Sequence, residues 1–332
     1  MRPIRLAVLA AAALLTAASG CRKAAPPELS PQNRLETYAF DPSSPLESRV
    51  AAPPPVVLDF MRAFDERPGY SSYAPTAADK AMVLEYLRLL PPVYESVFKA
   101  RCVGVYFIPD MLGNGLTEWV AGPDGRIYFL VVLDKAVLKK GISETLTGRE
   151  RSCFIPEAGW SVSVDAGGRY KGLLYALAHE AAHGLDYVFG LSPYVDESVP
   201  ARYRRSGPDA DRFYTVWDSY SSPRRSHDFP GRDRITFYGF NGGPKLRVSE
   251  APGLYRALLS SDFVSLYGAR SWAEDMAEEE TFSTIAGDLR QPYLITVKHG
   301  AQAWKFMPAG GKAAGRSAEL RRTVSKIRLP VE

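Results

Sequence analysis

The stretch KGLLYALAHEAAHGLDYVFG at residues 171–190 predicts one helix that Gly190 ends. His179 and His183 are four residues apart, so they lie one turn apart on one helix face, where both imidazoles can reach one metal ion. Glu180 follows the first histidine and can take a proton from a water molecule at that ion. Two ordinary histidines that match this HExxH pattern by chance are the alternative interpretation.

The rest of this helix supports the interpretation. Its small residues Ala182 and Gly184 are expected to leave room for a ligand near the histidines. Asp186, one turn after His183, is expected either to support a metal ligand or to form a salt bridge at the helix end. A core face is predicted on the side opposite the histidines, and it consists of Leu174, Leu177, Ala181, Leu185 and Val188.

A catalytic zinc ion normally takes three protein ligands and keeps one position open. His227 and His299 are candidates for the third ligand, but both lie in segments flanked by arginine or lysine. A helix predicted at 272–286 offers Glu274 and Glu278, which share one face. The two carboxylates would repel each other on an ordinary helix surface, whereas beside a zinc ion one can ligate and the other can orient a ligand. A solvated acidic helix face is the alternative.

Two blocks of sequence, taken together, carry a resemblance to a known family. They are HEAAHGLDY at 179–187 and SLYGAR at 265–270, the latter followed by AEDMAE at 273–278. They resemble the gluzincin peptidases related to anthrax lethal factor and the Pro-Pro endopeptidases. The resemblance implies that Glu274 is the third zinc ligand and that Tyr267, seven residues earlier, stabilises the oxyanion. A phenol suits that role because it donates a hydrogen bond without adding charge.

The resemblance also implies a fold and an activity. The expected fold is α+β, a zincin-like metallopeptidase domain with a small mixed sheet, an active-site HExxH helix and a mainly helical C-terminal subdomain. The expected activity is zinc-dependent hydrolysis of peptide bonds, with one zinc ion on His179, His183 and Glu274 and with Glu180 as general base. The segment between Asp186 and the second block is longer than in the family, so the resemblance does not predict which substrate is cleaved.

Two other functions remain as alternatives. One is a non-catalytic envelope or substrate-binding lipoprotein, which would tolerate the loss of Glu180. The other is a zinc amidase that acts on cell-wall crosslinks. The formal charge is only +4, from 41 basic and 37 acidic residues, and gives no case for a nucleic-acid partner.

The N-terminus predicts export and lipidation. Residues 1–20 combine two arginines, an apolar run at 6–18 and small residues, which is typical of a lipoprotein signal peptide. ASGC at 18–21 resembles a bacterial lipobox, so Cys21 is expected to carry the lipid. Arg22 after it favours the outer membrane. An ordinary secretory signal that ends near a cysteine is the alternative.

The remaining composition predicts the domain organisation. Residues 21–55 are rich in proline and alanine and predict an extended tether, with an arm packed on the domain as the alternative. One metallopeptidase domain is predicted at 56–312, with an irregular insertion or lid at 192–249. A basic helix and tail are predicted at 313–332. Cys102 and Cys153 are expected either to form a disulfide or to be two buried free thiols.

Hydrophobic patterns predict the other elements. Helices are predicted at 57–64, 76–90, 251–259, 272–286 and 317–327, and the prolines at 91 and 92 are expected to end the second of these. Strands are predicted at 102–108, 116–121 and 126–133, and the turn GPDG at 122–125 predicts a hairpin between the last two. By analogy with gluzincins, an edge strand at 116–120 could bind a peptide or protein substrate as an added strand.

Overall fold

The computed structural model describes residues 29–204, 206–207 and 210–329. The helices are α1 Leu46–Arg49, α2 Pro55–Phe64, α3 Ala77–Leu87, α4 Pro92–Arg101, α5 Ile142–Ser152, α6 Leu173–Phe189, α7 Ala251–Leu259, α8 Trp272–Phe282 and α9 Ala314–Lys326. The strands are β1 Val50–Ala51, β2 Cys102–Ile108, β3 Gly115–Ala121, β4 Ile127–Asp134, β5 Phe154–Ile155, β6 Trp160–Asp165, β7 Trp217–Ser219, β8 Ser222–Pro223, β9 Leu246–Arg247, β10 Leu294–His299 and β11 Gln302–Phe306. The fold is therefore α+β with small sheets, as predicted at this coarse level.

The main sheet has the order β1-β2-β4-β3, with β3 at one edge. β2 pairs in parallel with β1 and β4, and β3 and β4 form the predicted antiparallel hairpin. Side chains of β4 alternate between two hydrophobic clusters, since Phe129 and Val131 belong to the one that contains α6, and Leu130 and Val132 to the one that contains α2. Both faces of the sheet are therefore covered, and α6 lies under one of them.

α6 is buried on almost every side. Its predicted core face lies in the hydrophobic core, whereas His179 and His183 line a cleft, so the division into two faces is confirmed. Ala182 is fully buried. A Cβ on Gly184 would lie 2.5 Å from the Phe129 ring. The small residues therefore bring the helix close to β4 and do not make room for a ligand. Gly190 ends the helix in the left-handed conformation, with φ 65°, as predicted.

The predicted tether is wrong for the described residues from 29 onward, because this segment packs on the domain. The Asn33 amide donates hydrogen bonds to Glu118 Oε1 at 2.6 Å and to the Trp119 carbonyl at 2.7 Å. Arg49 is buried and donates to the carbonyls of Phe98, Lys99 and Cys102, which lie at the junction of α4 and β2. The alternative of a packed arm is confirmed for these residues. The signal peptide and Cys21 lie outside the described residues.

The disulfide prediction is also wrong. Cys102 and Cys153 are free thiols, and both are buried in the hydrophobic core. Burial raises the pKa of the Cys102 thiol to about 12, so it stays protonated and unreactive. The alternative of two buried thiols is confirmed.

The hydrophobic patterns did not predict some of the helices and strands. Pro92, which was expected to help end a helix, begins α4, where its missing N–H costs no hydrogen bond. β10 and β11 join β6 in a second, three-stranded sheet, so the C-terminal part is not only helical. The described residues of the segment 192–249 form only short strands and 3₁₀ turns, which agrees with an irregular insertion. None of the helices among the described residues is long and apolar enough to cross a membrane.

Candidate metal centre

Two packed helices bring the predicted metal ligands together. His179 and His183 lie in the middle of α6, and Glu274 lies in the first turn of α8, which packs against α6. The hydroxyl of Ser271 accepts a hydrogen bond from the Glu274 backbone N–H and caps α8. The cap fixes the residue at which α8 begins and so sets which carboxylate faces the histidines.

The three ligand atoms lie at distances that suit a metal ion. His179 Nε2 is 3.1 Å from Glu274 Oε2, His183 Nε2 is 3.5 Å from the same oxygen, and the two nitrogens are 3.3 Å apart. A tetrahedral ion with bonds of about 2.1 Å holds its ligand atoms roughly 3.4 Å apart. His179, His183 and Glu274 could therefore hold a metal ion.

The electrostatics of the three residues also fit a cation. Glu274 Oε2 and His183 Nδ1 are buried and have no hydrogen-bond partner among the described residues. Burial alone would lower the pKa of His179, but the carboxylates of Glu274 and Glu278 beside the ring outweigh it and raise that pKa to about 10. The cluster therefore stabilises positive charge at its centre, which a metal ion can supply instead of a proton.

Glu278 holds the first histidine in place. Its Oε1 lies 3.0 Å from His179 Nδ1, so an N–H there points at the carboxylate and leaves the Nε2 lone pair facing the centre. The same carboxylate accepts hydrogen bonds from Arg149 at 2.6 Å, Ser265 at 2.6 Å and Tyr175 at 2.9 Å. These bonds fix the carboxylate and, through it, the imidazole.

Glu180 lies in the same cleft and is held by β3. Its side-chain Oε2 accepts a hydrogen bond from the Thr117 hydroxyl at 2.7 Å. A Cβ on Gly115 would lie 2.7 Å from both Cγ and Oε1 of Glu180, so the glycine is what lets the carboxylate sit against the strand. Burial raises the pKa of Glu180, and the charges of the two histidines oppose this. Residues 116–120 were expected to form a substrate-binding edge, but no sequence pattern links Thr117 or Gly115 to Glu180.

Tyr267 completes the centre. Its ring lies 5.5 Å from the His179 ring, and the Arg270 guanidinium lies 5.1 Å from its centre. Burial raises the pKa of Tyr267 well above its usual range, so the phenol stays protonated and can donate a hydrogen bond. Tyr267 and Arg270 line a cleft of about 360 Å³, and Glu180 and Glu274 line the same cleft.

Other candidates lie elsewhere or have a different partner. Asp186 is buried and accepts hydrogen bonds from the N–H and hydroxyl of Ser192, so it holds the chain after α6; neither expected role is seen. His227 pairs with Asp262 at 2.6 Å. His299 stacks on the Trp160 ring at 4.3 Å. Neither histidine belongs to the metal-ligand group.

The acidic run of α8 is not a solvated face. Glu278, Glu279 and Glu280 are all buried, and each pairs with one or two arginines that the others do not share. The partners are Arg149 for Glu278, Arg212 and Arg316 for Glu279, and Arg321 for Glu280. The carboxylates therefore anchor α8 to neighbouring segments while Glu274, one turn earlier, faces the histidines.

The chain was compared with protein-family models, curated proteins and solved structures, and none of these comparisons gives a match.

Proposed function

We propose that this protein is a zinc-dependent metalloendopeptidase with a zincin-like fold of the gluzincin type. The observation that carries the proposal is the convergence of His179, His183 and Glu274 at the spacing of a tetrahedral ion, with Glu180 in the same cleft. Two imidazoles and one carboxylate are a ligand set typical of catalytic zinc, which keeps a fourth position open.

The chain's residues have distinct tasks in this proposal. When bound, zinc supplies Lewis-acid polarisation of the scissile carbonyl and favours ionisation of water. Glu180 takes the proton from the attacking water and passes it to the leaving amine. Tyr267 donates a hydrogen bond to the oxygen on which negative charge develops. Glu278 holds the His179 ring, so that the nitrogen lone pair faces the centre throughout.

The edge of β3 suits an extended substrate. At one end of the strand, Asn33 and Arg34 cover the edge through contacts with Trp119 and Ala121. At the other end, residues 115–117 line the cleft, and no other described strand pairs with their free edge. A peptide added along this free end would pass Glu180, which Thr117 contacts.

The cellular setting rests on the sequence alone. We propose that the signal peptide at 1–20 exports the chain and that a lipid on Cys21 holds it at the outer membrane of a bacterial envelope. Residues 29–55 pack on the domain and are therefore not part of a free tether.

A comparison of the wild-type protein with Gly115→Ala tests the proposed function. The wild-type protein is expected to cleave a complex peptide mixture, with new termini identified by mass spectrometry. The three heavy atoms nearest to the added methyl group all belong to the Glu180 side chain, so we expect the general base to be displaced while the fold survives. The rate of cleavage should fall by about tenfold or more, which is an estimate for a misplaced catalytic group.

Gly148→Ala is the matched control. Gly148 lies in α5, and a Cβ there meets nothing within 4 Å, so this variant should cleave at the wild-type rate. An absence of cleavage by the wild-type protein, with zinc bound, would contradict the proposed activity. Equal rates for wild-type and Gly115→Ala would contradict the role of Glu180 at this position.

A further inference from the structure

A second cavity, of about 410 Å³, lies beside the metal centre and shares part of its wall with the cleft. The shared wall consists of Tyr220, Asn241, Arg270 and Glu274. A substrate residue next to the scissile bond could therefore extend from the cleft into this cavity. The charges on the wall of the cavity then decide which residue fits.

Arg270 is the basic residue that belongs to both cavities. It is partly buried, and no carboxylate among the described residues lies within ion-pair distance of its guanidinium. Two other arginines with little exposure do have a carboxylate partner, since Arg149 pairs with Glu278 and Arg316 pairs with Asp275. Buried Arg49 has none, and its guanidinium donates to backbone carbonyls instead. A guanidinium that lines a cavity and has no carboxylate within ion-pair distance has donors that an anion can match.

The other charged residues on the wall do not form an ion pair with Arg270. Arg232 is paired with Asp228 at 2.6 Å and contributes no unpaired charge. Asp233 is exposed to solvent. Glu274 is directed at the two histidines, 3.1 and 3.5 Å from their nitrogens, and would belong to the metal ion.

Arg270 is also held in position. Its guanidinium packs on the Tyr267 ring, 5.1 Å from the ring centre, and it follows that residue by one short 3₁₀ turn. The side chain proposed to donate to the oxyanion therefore also supports the arginine. An anion bound by Arg270 would lie within one or two residues of the cleaved bond.

From this geometry we infer that Arg270 binds a carboxylate of the substrate, so that the enzyme acts on peptides with an acidic group beside the scissile bond. The inference rests on the proposed function, because the substrate is placed by the metal centre. The acidic group is either an Asp or Glu side chain or the C-terminal carboxylate of the peptide. Both present the same planar anion to a guanidinium.

The test uses short peptide hydroxamates, whose chelating group binds the metal in place of the scissile bond. In the first pair of compounds, one member carries Glu next to the hydroxamate and the other carries Gln. This pair is made in two forms, in which the peptide extends to one side or to the other side of the hydroxamate. A second pair carries a free or an amidated C-terminus. Dissociation constants are measured by calorimetry on the zinc-loaded full-length protein, so no turnover is needed.

At least one carboxylate compound is expected to bind the wild-type protein about tenfold or more tightly than its amide partner. The pair that shows this preference identifies the side chain or the C-terminus as the source of the anion. Arg270→Gln should reduce the ratio to about one, and Arg270→Lys should keep part of it, since the charge remains. Arg225→Gln, at an exposed arginine that lines neither cavity, should leave the ratio unchanged.

Two results would overturn the inference while the metal centre stands. One is equal binding of both members of every pair to the wild-type protein. The other is a carboxylate preference that persists in Arg270→Gln. Failure of every hydroxamate to bind would contradict the metal centre, and the inference with it. If Arg270→Gln does not fold, as judged by thermal unfolding, Arg270→Lys decides. A ratio below that of the wild-type protein, with normal binding of the amide compound, supports the inference, and a ratio equal to the wild-type ratio overturns it.

Discussion

Glu180→Gln is expected to lower the rate of peptide hydrolysis by about 10²–10⁴-fold, the usual contribution of a general base. An amide cannot take the proton from water, whereas its oxygen can still accept the hydrogen bond that Thr117 donates at 2.7 Å. The variant should therefore fold and bind metal like the wild-type protein. The measurement is the initial rate on a peptide that the wild-type protein cleaves, with zinc content and melting temperature determined on the same sample.

Glu319→Gln provides the control for this substitution. Glu319 lies on α9, is exposed and has no ion-pair partner among the described residues, so its loss should leave the rate unchanged. If Glu180→Gln cleaves as fast as the wild-type protein, Glu180 is not the base. If the variant loses its zinc or unfolds, the carboxylate has a structural role that the contacts around it do not indicate.

Arg149→Met is expected to destabilise the protein by about 3–5 kcal/mol, the usual cost of breaking a buried ion pair from one side. The Arg149 side chain is fully buried and pairs with Glu278 at 2.6 Å and with Glu150 at 2.7 Å. Its removal leaves both carboxylates without their cation in the core. The free energy of unfolding from urea denaturation measures the effect.

The same variant should also weaken metal binding, because Glu278 orients His179 and Arg149 orients Glu278. Loss of a partner behind a metal ligand typically lowers metal affinity by about 10–100-fold. Arg322→Met, at an exposed position of α9, should change the free energy of unfolding by no more than about 0.5 kcal/mol. A loss below about 1 kcal/mol for Arg149→Met would show that the two carboxylates do not depend on it.

The sequence predicted the centre of the site because helix geometry determines it locally. Residues four apart on a helix face the same way, and this places His179 with His183 and Glu274 with Glu278. The resemblance of the two sequence blocks to one family predicted that Glu274 on α8 joins the histidines on α6. The distances among the three ligand atoms agree with this prediction. The β3–β4 hairpin was predictable for a similar reason, since its turn residues are adjacent to the strands they join.

Contacts between distant parts of the chain were not predictable from one sequence. Arg149 meets Glu278 across 129 residues, and Thr117 meets Glu180 across 63 residues. The acidic run at 278–280 has the composition of a solvated helix face. Its burial depends on ion pairs with arginines from distant parts of the chain. Likewise, nothing in the proline-rich composition of residues 29–55 indicates that Arg49 donates hydrogen bonds to backbone carbonyls at the junction of α4 and β2.

Zinc content of the purified full-length protein tests the central claim most directly. After dialysis against metal-free buffer, the wild-type protein is expected to retain about one zinc ion per chain, as a three-ligand catalytic site should. His183→Ala, which removes one ligand, should retain much less under the same conditions. A wild-type protein that retains no zinc, or one whose zinc content is unaffected by His183→Ala, would contradict the assignment of His179, His183 and Glu274 as a zinc site.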